Sequence, residues 1–137
     1  MVGQPSASSD GPLAASLRLL AELDAPAQAR VFVRDFCAAS GLPPDFCDTS
    51  VLLVNELVKN SVVHGRAAPI VEIQRVDGGL RFGIYDANPM LPSQRLPSLE
   101  SESGRGLLLL DALADTWGIK PHSSGGKYVW FELFVVG

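Results

Sequence analysis

Glu56 and Asn60 stand four residues apart in the run Asn55-Glu56-Leu57-Val58-Lys59-Asn60. On a helix that spacing puts a carboxylate and an amide on one face, one turn apart. Two kinds of chemistry suit such a pair. Side-chain oxygens bind hard cations, and a carboxylate can accept a proton. Mg²⁺ in particular takes one or two protein oxygens and completes its shell with phosphate and water. The surrounding residues Val51, Leu52, Leu53, Val54, Leu57, Val58, Val62 and Val63 are apolar, so burying the pair without partners would be costly. Taken alone, the two residues also fit the solvated stripe of an amphipathic helix.

Two later segments add to the pair. Asp86 follows the apolar run Leu80 to Tyr85 and opens Asp86-Ala87-Asn88-Pro89-Met90-Leu91-Pro92. Gly104-Arg105-Gly106 leads into the apolar run that starts at Leu107. Glycines before a helix let backbone N–H groups approach a phosphate, where the helix N-terminus carries partial positive charge. Asp86 on its own also reads as a turn residue. Arg105 would either contact phosphate or point to solvent. His64 reads as a partly buried, satisfied histidine and Lys59 as solvated. The order of the set, an Asn/Glu helix, then Asp after a strand, then Gly-x-Gly before a helix, is more specific than any one motif.

The elements that would position these residues follow from pattern and punctuation. A first strand falls within Ser16 to Leu23. A helix runs from Asp24 or Pro26 to about Ala39 and stops at Gly41. Leu42-Pro43-Pro44 is a turn, and Asp48 or Thr49 caps the helix of Glu56 and Asn60, which ends at Gly65. Ile70 to Arg75 and Leu80 to Tyr85 are strands around the hairpin signal Asp77-Gly78-Gly79. Asn88 to Ser103 reads as a loop, Gly106 to Ala114 as a helix, and Thr116 to Lys120 and Lys127 to Val135 as two more strands. The fold class is α+β, a two-layer sandwich of a mixed, mostly antiparallel sheet with helices on one face. Residues 1–15 form a flexible tail and residues 16–137 a single domain.

Bulk properties narrow the function classes. The chain has 137 residues, is 47% hydrophobic and carries a formal net charge of −4, which suits one folded domain and leaves no electrostatic footprint for nucleic acid. It has no stretch long enough to span a bilayer and no signal-peptide pattern, so a cytoplasmic protein with no membrane partner is expected. Cys37 and Cys47 read as free thiols, packed or partly exposed.

The ordered motifs resemble the GHKL superfamily of ATP-binding domains. Within it they are most similar to RsbW-type anti-sigma factor serine/threonine kinases and to stand-alone ATP-binding regulators of actinobacteria. Asn55 to Asn60 with His64-Gly65, Asp86 with Pro89 and Pro92, Gly104 to Leu107, and Trp117-Gly118 through Gly126-Lys127 to Leu133 carry the likeness. The resemblance implies a Bergerat-type fold that binds ATP and Mg²⁺. Asn60 would ligate the metal and Glu56 would be the general base. Asp86 would accept a hydrogen bond from the adenine amino group, and Gly104, Arg105 and Gly106 would contact the phosphates. Two positions depart from the family pattern. Asn88 replaces a glycine, and Tyr128 stands where a threonine supporting the adenine carboxylate is expected.

The implied function is an anti-sigma factor that phosphorylates a STAS-type anti-anti-sigma partner, binds a sigma factor in alternation with it, and forms a homodimer. The alternative is a non-catalytic ATP-binding interaction module.

Overall fold

The computed structural model describes residues 13–19, 24–64, 69–86, 102–121 and 125–136, with the side chains of residues 13, 63, 64 and 102–105 outside that set. In chain order the elements are β1 (Leu13–Arg18), α1 (Ala25–Ala39), α2 (Pro44–His64), β2 (Ile70–Val76), β3 (Gly79–Asp86), α3 (Glu102–Leu113), β4 (Thr116–Pro121) and β5 (Lys127–Phe134). The five strands form one sheet in the order β1-β2-β3-β5-β4. Every pairing in it is antiparallel, so the sheet is not mixed.

Alternation separates the two faces of the sheet. Along β5, Val129, Phe131 and Leu133 are buried while Tyr128, Trp130 and Glu132 are half-buried, the period of a strand with one face on a core. Leu80, Phe82 and Ile84 of β3 and Val71 and Ile73 of β2 lie in the same core, with the helices over them. Phe82 and Phe131 are cross-strand partners, and their rings stack with centroids 4.9 Å apart.

The hairpin between β2 and β3 turns on Asp77-Gly78. Gly78 takes φ +84° there, a conformation that L side chains rarely adopt. In α1, Ala25, Ala29, Val33 and Cys37 are buried at four-residue spacing and face α2. Gly41, at φ +70°, ends that helix.

Three boundaries differ from the sequence reading. α2 begins at Pro44, ahead of Asp48 and Thr49, because proline suits the first helical position, where an N–H has no partner, and Asp45 complements the dipole. α3 begins at Glu102, so Gly104 and Gly106 lie inside the helix rather than before it. β1 begins at Leu13, three residues before Ser16. The segments read as a loop from Asn88 to 101 and as a tail before Leu13 lie outside the described residues, as do residues 122–124.

Candidate functional site

The connections bring the chemistry-bearing residues to one end of the sheet. The C-terminal part of α2 leads toward β2, whose first residue, Ile70, pairs with Tyr85 beside Asp86. Asp86 pairs in turn with Lys127, the first residue of β5. α3 runs the other way, because its C-terminus leads to Thr116, which pairs with Glu132 at the opposite end. The first turns of α3 therefore lie at the Asp86 end.

The two helices touch there. A Cβ placed on Gly106 would lie 2.7 Å from Nδ2 of Asn60 and 3.9 Å from Leu57. A bare backbone is thus what lets α3 close onto the Asn60 amide. Gly106 is buried, and its lack of a side chain serves this close approach. The backbone of Gly104 lies in the first turn of α3, where N–H groups have no partner within the helix. The side chains of Arg105 and His64 are outside the described set.

Oδ1 of Asn60 is buried and has no hydrogen-bond partner among the described residues. A buried amide oxygen left unpaired costs free energy, commonly 1–3 kcal/mol as a rough range, so such an atom calls for a ligand. Oγ of Ser61 is the other such atom among the described residues, but a helical serine hydroxyl can rotate onto the carbonyl of the preceding turn. A hard cation fits the Asn60 oxygen, with phosphate and water completing its shell.

Glu56 lies one turn before Asn60 and is buried. Its Oε2 accepts a long hydrogen bond from Nδ2 of Asn55 at 3.5 Å and lies 3.9 Å from Nζ of Lys59. Lys59 is therefore not simply solvated, because it leans back toward the carboxylate. Asn55 also accepts a 2.7 Å bond from Nη1 of Arg30 on α1. Asn55 and Lys59 thus flank the carboxylate, and Arg30 of α1 holds Asn55 in place. Sequence reading singled out none of them as support for Glu56.

At the end of β3, Asp86 is buried, and its Oδ2 accepts a 3.1 Å bond from Nζ of Lys127. Tyr128 is on the other face of the sheet. Its ring lies over Gly83, where an added Cβ would overlap the hydroxyl, and that hydroxyl is 3.4 Å from Glu72 on β2. The residue that supports Asp86 is thus Lys127 and not Tyr128. A signal for this was in the sequence. Counting by two from Leu133 places Lys127 in the apolar row with Val129 and Phe131, and a lysine in such a row needs a carboxylate.

The opposite end of the molecule is different in kind. A groove there is lined by Pro43, Phe46, Thr49, Leu113, Leu133 and Phe134. Of its two acids, Asp115 accepts a 2.8 Å bond from the backbone N–H of Phe134.

Residues 19–133 match the histidine kinase-like ATPase domain, HATPase_c_2. The chain belongs to this family. No curated protein matches it. Among solved structures, the chain is similar to the RsbU and RsbW domains of Rv1364c from Mycobacterium tuberculosis. That match has a TM-score of 0.70 and 22% identity, over 91% of this chain and 33% of that one. The chain thus spans about a third of that protein's solved length. It is also similar to a chain of the SiaB-SiaC complex from Pseudomonas aeruginosa, with a TM-score of 0.61 and 14% identity, over 96% of this chain and 94% of that one. Both likenesses are in fold. Membership in the family implies ATP binding, and the unpartnered Asn60 oxygen marks the Glu56–Asn60–Asp86 end as the candidate site. Among the described residues no helix is long and apolar enough to cross a membrane.

Proposed function

We propose that the chain is an ATP-dependent protein serine/threonine kinase that acts as an anti-sigma factor in a partner-switching module. The observation that carries this reading is the pairing of a buried carboxylate, Glu56, with a buried, unpartnered amide oxygen, Oδ1 of Asn60, on one helix face. A domain that only binds nucleotide needs the second but has no use for the first. The solved neighbours add support of a coarser kind, since one is an RsbU–RsbW domain structure and the other a two-protein complex.

In this reading Asn60 ligates Mg²⁺, which would neutralise phosphate charge as transfer proceeds. Glu56 accepts the proton of a Ser or Thr hydroxyl on an anti-anti-sigma protein. The hydroxyl oxygen forms a bond to the γ-phosphorus, the bond from that phosphorus to the β–γ bridging oxygen breaks, and ADP leaves with the electron pair. Phosphoryl transfer depends mostly on positioning and charge neutralisation, so holding Glu56 between Asn55 and Lys59 is the main contribution of this chain. Asp86 accepts a hydrogen bond from the adenine 6-amino group.

The test pairs ATP affinity by calorimetry with phosphate incorporation into candidate anti-anti-sigma proteins by mass spectrometry. Glu56→Ala should leave ATP binding largely intact and reduce transfer by ~10²–10⁴-fold, the usual range for a positioned acid–base group. A wild-type protein that binds ATP but phosphorylates no cognate partner would make the chain a non-catalytic ATP-binding regulator instead.

A further inference from the structure

We propose that Lys127 reads the nucleobase together with Asp86, the buried ion pair acting as a donor–acceptor couple for the adenine edge. The proposal rests on the reading of Asp86 as the adenine carboxylate and adds a second residue to that site.

Position supports it first. Lys127 and Asp86 are direct cross-strand partners on the helix-facing side of the sheet, at the end where α2 presents Asn60 and α3 closes on it through Gly106. Their side chains are 3% and 6% exposed, and the Nζ–Oδ2 distance is 3.1 Å.

Energetics supports it second. Removing two charges from water costs about as much as their attraction returns, and a buried ion pair is often matched or bettered by apolar residues of similar volume. Stability alone therefore does not call for a lysine at the head of an apolar row. Recognition does. A carboxylate offers only acceptors and an ammonium only donors. Side by side they present one of each, held in fixed order by the register of β3 and β5.

The adenine edge is complementary to that order. It carries the 6-amino donor next to the N1 acceptor. With the amino group on Asp86, N1 faces Lys127 and accepts from its ammonium. Guanine and hypoxanthine reverse both groups, with an oxygen at position 6 and an N–H at position 1. In the same pose the oxygen meets the carboxylate and the N–H meets the ammonium, so both contacts fail together. A site that holds charged partners for specific polar groups rejects a ligand that leaves them unpaired far more strongly than an apolar pocket does.

Calorimetry on the wild-type protein with three nucleotides tests this. They are ATP, 1-deaza-ATP, in which N1 becomes C–H, and purine riboside triphosphate, which lacks the 6-amino group. Each analogue should bind about 10- to 100-fold more weakly than ATP, the range for a hydrogen bond to a charged group. Lys127→Met should bind ATP and 1-deaza-ATP equally, at the weaker level, while still penalising loss of the 6-amino group. If that variant does not fold, the wild-type comparison decides: a loss of about tenfold or more for 1-deaza-ATP supports the N1 contact, and equal binding overturns it.

Wild-type protein that penalises loss of the amino group but binds 1-deaza-ATP as well as ATP would leave Asp86 in the site and overturn the role of Lys127. A Lys127 variant that still separates 1-deaza-ATP from ATP would do the same, by assigning N1 to another group. Wild-type protein indifferent to the amino group, or unable to bind ATP, would remove the adenine reading of Asp86 and the proposal with it.

Discussion

Strands β3 and β5 share two direct cross-strand ion pairs of almost equal length, Arg81–Glu132 at 3.0 Å and Asp86–Lys127 at 3.1 Å. Their surroundings differ. Arg81 and Glu132 lie on the face of the sheet away from the helices, and the guanidinium stacks 4.4 Å above the Trp130 ring. A ring face under an arginine and a carboxylate beside it satisfy both its planar surface and its N–H fork. That pair fastens two strands. Asp86 and Lys127 lie on the helix-facing side, have lower exposure, and stand at the end of the sheet toward which Asn60 and Gly106 lie. Distance and register do not distinguish a fastening pair from a recognising one. The neighbours of each pair do.

Removal of one partner should separate them most. Asp86→Ala leaves a lysine buried without its carboxylate and should destabilise the fold by about 3–5 kcal/mol. Glu132→Ala, at the more exposed pair, should cost about 1–3 kcal/mol. Chemical denaturation of both variants measures the difference. Equal losses would erase the distinction in burial.

Replacing both members sharpens the comparison, because it removes the stability penalty and leaves the function. Asp86→Leu with Lys127→Met, and Arg81→Met with Glu132→Leu, should each return to within about 1 kcal/mol of the wild type, as buried pairs replaced by apolar residues often do. Only the first double variant should lose ATP binding. Loss of ATP affinity in the second would show that the outer pair also serves the site.

A smaller effect is expected at Gly106. Alanine there is better in a helix by about 1 kcal/mol, but its Cβ would lie 2.7 Å from Asn60 Nδ2. Stability should stay level while Mg²⁺-dependent ATP affinity falls about tenfold, the effect of one displaced ligand bond. Titrations with and without Mg²⁺ separate the two effects.

An effect confined to alkaline pH belongs to a third pair of titratable groups, Cys37 and Cys47. Burial, then the neighbouring Cys47, pushes the Cys37 thiol up to about 12. The unfolded chain loses that proton near pH 8.5. The stabilisation is therefore complete below about pH 8.5 and is lost as pH rises toward the folded value. A denaturation series from pH 7 to pH 11 should show stability falling at the alkaline end. Near neutral pH, native Cys37 should react slowly with a thiol reagent.

Much of the fold was legible because its signals are local. The strands β2 and β3 follow from alternation around Asp77-Gly78, and the stop of α1 follows from Gly41. Helix starts were less legible. Pro44 and Glu102 each extend a helix into residues that read as turn or loop, since a proline marks a turn as readily as a first helical position, and a glycine beside a packed amide is settled by tertiary contacts. Among the site residues, Glu56 and Asn60 announce themselves by i,i+4 spacing. That Asn60 Oδ1 is unpartnered depends on how α2 and α3 meet, which no spacing reveals. The strand register that sets Lys127 against Asp86, and Tyr128 over Gly83, depends on pairing between distant segments. Lys127 and Tyr128 are adjacent in sequence yet on opposite faces, because one residue changes the face of a strand.

The central claim is that the Asn60–Asp86 end binds Mg²⁺·ATP, and amide spectra of labelled protein titrated with the nucleotide test it most directly. Saturable shifts are expected at Asn60, Asp86, Gly106 and Lys127, including the Asn60 side-chain amide, with Arg81, Glu132 and Phe134 little changed. No shifts at millimolar Mg²⁺·ATP, or shifts confined to the Arg81–Glu132 face, would contradict it.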